Sequence, residues 1–268
     1  MADALAAPAG PVRPVDAYQE HAPPAALASY IECFWSRTET RGPNRSPRSH
    51  RVLPDGCADV VVGFDTETGG PAARVVGTMT RAAVFADTTT ASYVGVRFQP
   101  GVAGALFGIP ACELTDQSPD LGDVWPQADA MLDSLAGASD AGGRLRILSA
   151  EIARRLLAAT SLPPATVVAA ATRIAATRGT VSIRTLCSQL GVSRQHLART
   201  FADHVGLSPK MLARVVRMRG VVEVARRATN VDWVSLALDA GYYDQSHLIA
   251  DVRELTGLSP GEWLGARA

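Results

Sequence analysis

Apolar residues along this chain follow two spacings. Between Tyr30 and Phe98 they come in short β-branched or aromatic runs: Tyr30–Thr38, Val52–Phe64, Arg74–Met79, Ala83–Thr88 and Ser92–Phe98. Runs of this length, broken by Gly, Pro and Asn, predict the strands of a small antiparallel sheet or barrel. After Gly101 the spacing lengthens to three and four residues. Gly101–Gly108, Asp129–Leu135 and Arg144–Ala159 predict helices. In the last of these, Leu145, Leu148, Ile152 and Leu156 recur at intervals of 3, 4 and 4. That stripe suits a dimer seam and packing against the chain's own sheet equally well. Thr160–Pro164 reads as a linker between residues 1–160 and a helical region, 165–268.

The helical region contains a repeat. His196–Pro209 (HLARTFADHVGLSP) and His247–Pro260 (HLIADVRELTGLSP) align without a gap at an offset of 51 residues. A fixed offset means one supersecondary unit used twice. In each copy a short helix carrying a small residue, Cys187 or Ala237, is followed four residues later by Gly191 or Gly241. Ser193 and Asp244 then stand three residues before the repeated His, where a side-chain oxygen caps a helix. Gly206 and Gly257, with Pro209 and Pro260 beyond, end the second helix. The pattern predicts two helix-turn-helix units, the second with a turn one residue longer. They are joined by a helix from about Pro209 to Ala228, with Leu212, Val215, Val216, Val222 and Ala225 as its apolar stripe and Arg214, Arg217, Arg219, Arg226 and Arg227 around it. Asn230 is the expected cap of the helix that follows.

This arrangement resembles the DNA-binding domain of the AraC/XylS family of bacterial transcription regulators. The residues that carry the resemblance are Leu190–Phe201, the joining helix and Gly241–Pro260. It implies a module whose two recognition helices enter successive major-groove segments on one face of the duplex. It also implies RNA polymerase as a partner and a sensory domain ahead of the DNA module, often a cupin-like β-barrel.

Leu197, Phe201 and Val205 fall on one face of the first recognition helix and are expected in the core, which leaves Arg194, Gln195 and Arg199 on other faces. The resemblance places base reading at Gln195 and Arg199; Arg reads guanine and Gln adenine in the major groove. His196 and its counterpart His247 suit packing or phosphate contact. The second recognition helix is expected to bury Leu248, Val252 and Leu255. Its candidate groove face is Gln245, Ser246, Ile249 and Ala250, with Arg253 further along. Ala250 departs from the family, which often carries a basic residue there, so the first unit is expected to supply most hydrogen-bonded specificity.

Charge agrees with this division. Residues 164–268 hold 13 Arg+Lys against 8 Asp+Glu, a net of +5, and residues 1–163 hold 13 against 18, a net of −5. A basic C-terminal half on a neutral chain is the electrostatic footprint of phosphate contact. The four cysteines, Cys33, Cys57, Cys112 and Cys187, form no CxxC pair. That suits a reducing cytoplasm and argues against a zinc framework. No apolar run is long enough to span a membrane, and the Ala-rich start lacks an export signal's basic and apolar segments.

For the N-terminal region the expected function is sensing. Only His21 and His50 precede the linker, so a metal site built mainly on His is excluded, and no cofactor is expected. An effector would need an apolar pocket with a few convergent polar groups. Trp35, Asp55, Cys57 and Arg97 are the candidates, against Trp35 and Cys57 as core and Asp55 as a turn residue. Enzymatic function is not expected: no nucleophile elbow, phosphate loop, dinucleotide fingerprint or paired carboxylates occur, and Cys57 with His50 is the one conceivable nucleophile–base pair. The competing regulatory reading is a ligand-independent protein whose N-terminal domain only forms a homodimer.

Overall fold

The structure, a computed structural model, describes residues 17–38, 49–65, 70–86, 90–159, 162–228 and 230–265. Thr160 and Ser161 of the expected linker therefore lie outside the described residues. Seven strands occur among those described: β1 (Ala17–His21), β2 (Ile31–Thr38), β3 (Ser49–Val52), β4 (Asp59–Asp65), β5 (Pro71–Val76), β6 (Ala83–Ala86) and β7 (Thr90–Phe98). Five of them form one antiparallel sheet in the order β1-β2-β7-β4-β5, and β3 pairs with β6 as a separate two-stranded ribbon. Sheet, rather than closed barrel, is the arrangement among the described strands.

The expected run Val52–Phe64 is interrupted. Pro54-Asp55-Gly56 turns the chain, with Gly56 at φ +83°, and the strand begins only at Asp59. β1 (AYQEH) and β3 (SHRV) escape hydrophobic patterning because both are short and polar.

One face of the sheet carries Val60, Val62 and Phe64 from β4 and Val94, Val96 and Phe98 from β7. Helices α1 (Val102–Phe107), α2 (Leu121–Val124), α3 (Asp129–Ala136) and α4 (Ala141–Ala158) cover it. The stripe in α4 resolves in favour of self-packing: Leu148, Ile152 and Leu156 are buried in this core, with Leu145 packed against it. Those side chains are therefore not a dimer seam.

The C-terminal region is helical throughout: α5 (Ala165–Ala176), α6 (Ile183–Leu190), α7 (Arg194–Val205), α8 (Pro209–Arg227), α9 (Trp233–Asp239), α10 (Gln245–Thr256) and α11 (Pro260–Gly265). It has two cores. Ile174, Leu186, Leu197, Phe201, Val205 and Leu212 make the first. Val215, Met218, Val222, Ala237, Leu248, Val252, Leu255 and Trp263 make the second. The long helix α8 contributes to both, so it is the rod that joins them. Asn230 is not the cap of α9; Asp232 is, its carboxylate accepting the Val234 and Ser235 N–H groups. An ionised cap also matches the positive end of the helix dipole.

Candidate nucleic-acid interface

The two helices expected to enter the groove, α7 and α10, start alike. Ser193 Oγ accepts the His196 N–H at 3.1 Å, and Asp244 Oδ1 accepts the His247 N–H at 2.8 Å. Each cap satisfies a donor that would otherwise lack a partner and fixes where the helix begins. Leu197, Phe201 and Val205 are buried on α7, as are Leu248, Val252 and Leu255 on α10. What remains outward on α7 is Arg194, Gln195, His196, Ala198 and Arg199. On α10, Ser246, His247, Ala250 and Arg253 are exposed, while Gln245 is half-buried. Ile249 is also half-buried and packs against the second core. Arg253 lies 3.8 Å from Glu262, which orients it toward α11.

His247 does a local structural job. Its Nδ1 accepts the Tyr243 N–H at 3.3 Å, and its ring meets Tyr242 edge-on at 5.2 Å. It therefore pins the longer turn of the second unit.

The arginines of α8 are largely engaged within the protein. Arg214 pairs with Asp251 and Glu254, both at 2.7 Å; Arg217 lies over the Tyr242 ring, Arg226 over the Trp263 ring, and Arg227 pairs with Glu223 at 2.6 Å. Asp251 is the buried partner that pattern reading overlooked. It shares a helix face with Leu248, Val252 and Leu255 and is almost fully buried, accepting the Tyr242 hydroxyl at 3.0 Å as well. A charged residue on an apolar helical stripe was the available signal. Burial, with the Asp251 charge, pushes the Tyr242 hydroxyl well above the ordinary tyrosine range, so it stays a donor.

The effector candidates assemble on the sheet face away from α4. Arg97 Nε lies 3.1 Å from Asp55 and 3.4 Å from Asp59, with Glu20 at 3.4 Å from the same guanidinium. The Cys57 N–H donates to Asp55 Oδ1 at 2.9 Å. Trp35 lies across Gly95, where a Cβ would collide with the indole, and Gly95 is two residues from Arg97 on the same side of β7. Tyr18 sits beside Trp35, ring centres 5.9 Å apart. So Asp55, Cys57 and Arg97 form one charged cluster, with Trp35 on the adjoining sheet surface.

Within this cluster burial pushes the Asp59 carboxyl up to about 7, against the pull of Arg97 and with help from Asp55 and Glu32. Burial lowers the Arg97 value, but the Asp59 and Asp55 carboxylates outweigh it and hold the guanidinium firmly charged. Cys57 is buried and donates its thiol to Glu32 at 3.0 Å. Burial first, then the Asp55 and Glu32 charges, raise it well above the ordinary thiol range. A thiol held protonated in this way is a poor nucleophile. Among the described residues no group of three or more His, Cys, Asp or Glu is arranged to hold a metal ion, and no helix is long and apolar enough to cross a membrane. A cavity of about 10 Å³, room for a single water, lies between the N-terminal region and α7, lined by Thr78, Gln99, Leu114 and His204 among others.

Comparison with known proteins finds two separate matches in the chain. Residues 19–120 match a domain of unknown function (DUF6597), and residues 186–266 match a helix-turn-helix domain. No curated protein sequence matches the chain. Among solved structures it is similar to ToxT from Vibrio cholerae. An apo ToxT variant is 12% identical, over 84% of this chain and 99% of that one, with a TM-score of 0.42. ToxT bound to unsaturated fatty acid is 11% identical, over 84% and 97%, with a TM-score of 0.41. ToxT bound to a methylnaphthalenyl butenoic acid is 8% identical, over 83% and 99%, with a TM-score of 0.45. The repeat, its paired caps and the family match fall on the same residues, and 186–266 form a helix-turn-helix domain.

Proposed function

We propose that this chain is a sequence-specific DNA-binding transcription regulator that sets α7 and α10 into successive major-groove segments, under the control of a signal received by its N-terminal domain. The observation that carries the reading is the matched pair of capped helices whose first turns, Arg194–Gln195 and Gln245–Ser246, point away from both cores. In helix-turn-helix proteins the first residues of the recognition helix meet the base edges. Arg199 and Gln195 carry the donors that read guanine and adenine, whereas Ile249 and Ala250 offer methyl contact to thymine. His196 and Arg253 suit phosphate, and RNA polymerase is the protein partner at the promoter, in the cytoplasm.

The charged cluster at Asp55, Cys57 and Arg97, with Trp35 beside it, is the effector site in this reading, because it combines aromatic surface with converging polar groups. Selection of duplexes from a random-sequence pool with the full chain tests the proposal. Enrichment of a two-part site, bound more weakly by a factor of about 10³ or more as salt rises from 50 to 200 mM if six or more phosphates are contacted, is the expected result. Binding without sequence preference would overturn it. Thermal stabilisation of the chain by a small molecule, reduced in Arg97→Ala, tests the effector site.

A further inference from the structure

The two copies of the repeat end on the same corner, and the N-terminal region holds both. Gly206 and Gly257 each sit in the left-handed conformation, φ +82° and +75°, directly after a recognition helix. At the first corner Thr115 donates its hydroxyl to the Gly206 carbonyl at 2.6 Å. A Cβ on Gly206 would collide with the Thr78 hydroxyl and stand 2.8 Å from that of Thr115. At the second corner Arg51 donates to the Thr256 carbonyl at 2.9 Å, and the Ala82 N–H donates to the Leu255 carbonyl at 2.7 Å. A Cβ on Gly257 would stand 2.9 Å from the Arg51 guanidinium. The repeated glycines thus serve close approach by another part of the chain as well as the helix stop.

The chemistry of the corners is complementary. The last carbonyls of a helix lack intrahelical partners and form its negative end, so hydroxyl, N–H and guanidinium donors are the groups that belong there. The donors come from two different parts of one domain. Thr78 and Thr115 are tied together through Asp116, whose N–H donates to the Thr78 carbonyl at 3.0 Å and whose carboxylate accepts the Thr80 N–H at 2.7 Å. Arg51 lies on β3 and Ala82 immediately before β6, so the second corner is held by the ribbon. The opposite ends of both helices, with Arg194, Gln195 and Ser246, stay exposed.

We propose that Thr115 and Arg51 are positioning residues for DNA recognition: by tying the far ends of α7 and α10 to one scaffold, they set which spacing between half-sites the protein accepts. This rests on the DNA-reading function proposed above. Geometry makes the lever sensitive. A helix of 12 residues, the length of both α7 and α10, is about 18 Å long, so a tilt of roughly 10° about its held end displaces the groove end by about 3 Å. That is close to the ~3.4 Å rise of one base pair.

The test uses the full chain and its enriched two-part duplex, with one or two base pairs inserted or deleted between the halves. Wild type is expected to lose at least tenfold in affinity on a one-base-pair change. Thr115→Val and Arg51→Ala are expected to keep affinity for the best spacing within about threefold while the penalty for the wrong spacing shrinks to less than threefold. Thr115→Ser and Arg51→Lys, which keep a donor, restore the wild-type penalty. A purely structural role would lower affinity at every spacing alike. Variants that keep the full spacing penalty, or a wild type indifferent to spacing, overturn this inference alone. A wild type that binds no duplex overturns the DNA-reading function itself.

Discussion

Arg214 Nε lies 2.7 Å from Asp251 Oδ1, and this ion pair joins the connecting helix α8 to the second recognition helix. Asp251 is 5% exposed in its side chain and Arg214 20%, so the pair is shielded at the carboxylate and partly wet at the guanidinium. Removing one member of a buried pair leaves the other without a partner. Breaking such pairs costs about 3–5 kcal/mol, and the partial exposure of Arg214 with its second contact to Glu254 lowers the expectation to about 2–4 kcal/mol. Asp251→Ala should therefore show that loss in urea unfolding followed by circular dichroism. Replacing the pair together with the hydroxyl that Asp251 accepts, as in Arg214→Met with Asp251→Leu and Tyr242→Phe, should restore most of the stability. A single variant as stable as wild type would mean the pair is dispensable.

Gly220 lies inside α8 with nothing within 4 Å of where a Cβ would be placed. Its backbone is absent from the positive-φ residues, so alanine meets neither strain nor a clash there. Glycine in a helix interior is less favourable than alanine by about 1 kcal/mol, through the entropy of the unfolded chain. Gly220→Ala is expected to raise stability by about 0.5–1 kcal/mol in the same unfolding measurement. A loss of stability would mean that a side chain at this position strains or crowds α8 in the folded chain.

Much of the C-terminal domain was legible because its signals are local. Ser193, Asp244, Gly206 and Gly257 act within one helical turn, and the buried triads Leu197–Phe201–Val205 and Leu248–Val252–Leu255 follow helical spacing. Contacts between distant segments left weaker traces. The role of Asp251 depends on Arg214, 37 residues away in the chain, which no local pattern places beside it. Polar strands β1 and β3 carry too few apolar residues to show the alternation of a strand. The stripe Leu145–Leu148–Ile152–Leu156 fixed a buried face of α4 without saying what buries it, and the sheet supplied the answer. Asp55, Cys57 and Arg97 were suggested by turn and strand position, but their convergence depends on β4 and β7 pairing at Asp59 and Arg97.

Asp59 gives the charged cluster a pH signature. Its carboxyl is pushed up to about 7 in the folded protein, first by burial, whereas an unfolded aspartate titrates near 3.9. Between about pH 4 and 7 the unfolded chain releases this proton while the native chain keeps it. The unfolded state binds fewer protons there, so Asp59 lowers stability progressively as pH rises through that window, and its contribution is level on either side. Asp59→Asn cannot ionise. Its stability relative to wild type should therefore rise from pH 4.5 to pH 7.5, read from urea midpoints at both values. A constant difference would mean that Asp59 titrates normally, with Arg97 balancing its burial.

The two recognition helices differ in what they offer a base. Arg199 on α7 is exposed and carries a guanidinium able to meet guanine O6 and N7 together, while the equivalent place on α10 is Ala250. In the proposed reading Gln245, half-buried beside the turn that His247 pins, offers its amide to adenine. A bidentate contact discriminates against the wrong base by about 1–3 kcal/mol, and methyl contact by less. Arg199→Ala is expected to lower affinity for the selected duplex and to relax the preference at one position of the first half-site by about tenfold. Gln245→Ala should relax the second half-site less. Competition binding against duplexes mutated one base at a time measures both. If Gln245→Ala costs more discrimination than Arg199→Ala, the second unit is the main reader, and Ala250 leaves room for the base rather than withholding a contact.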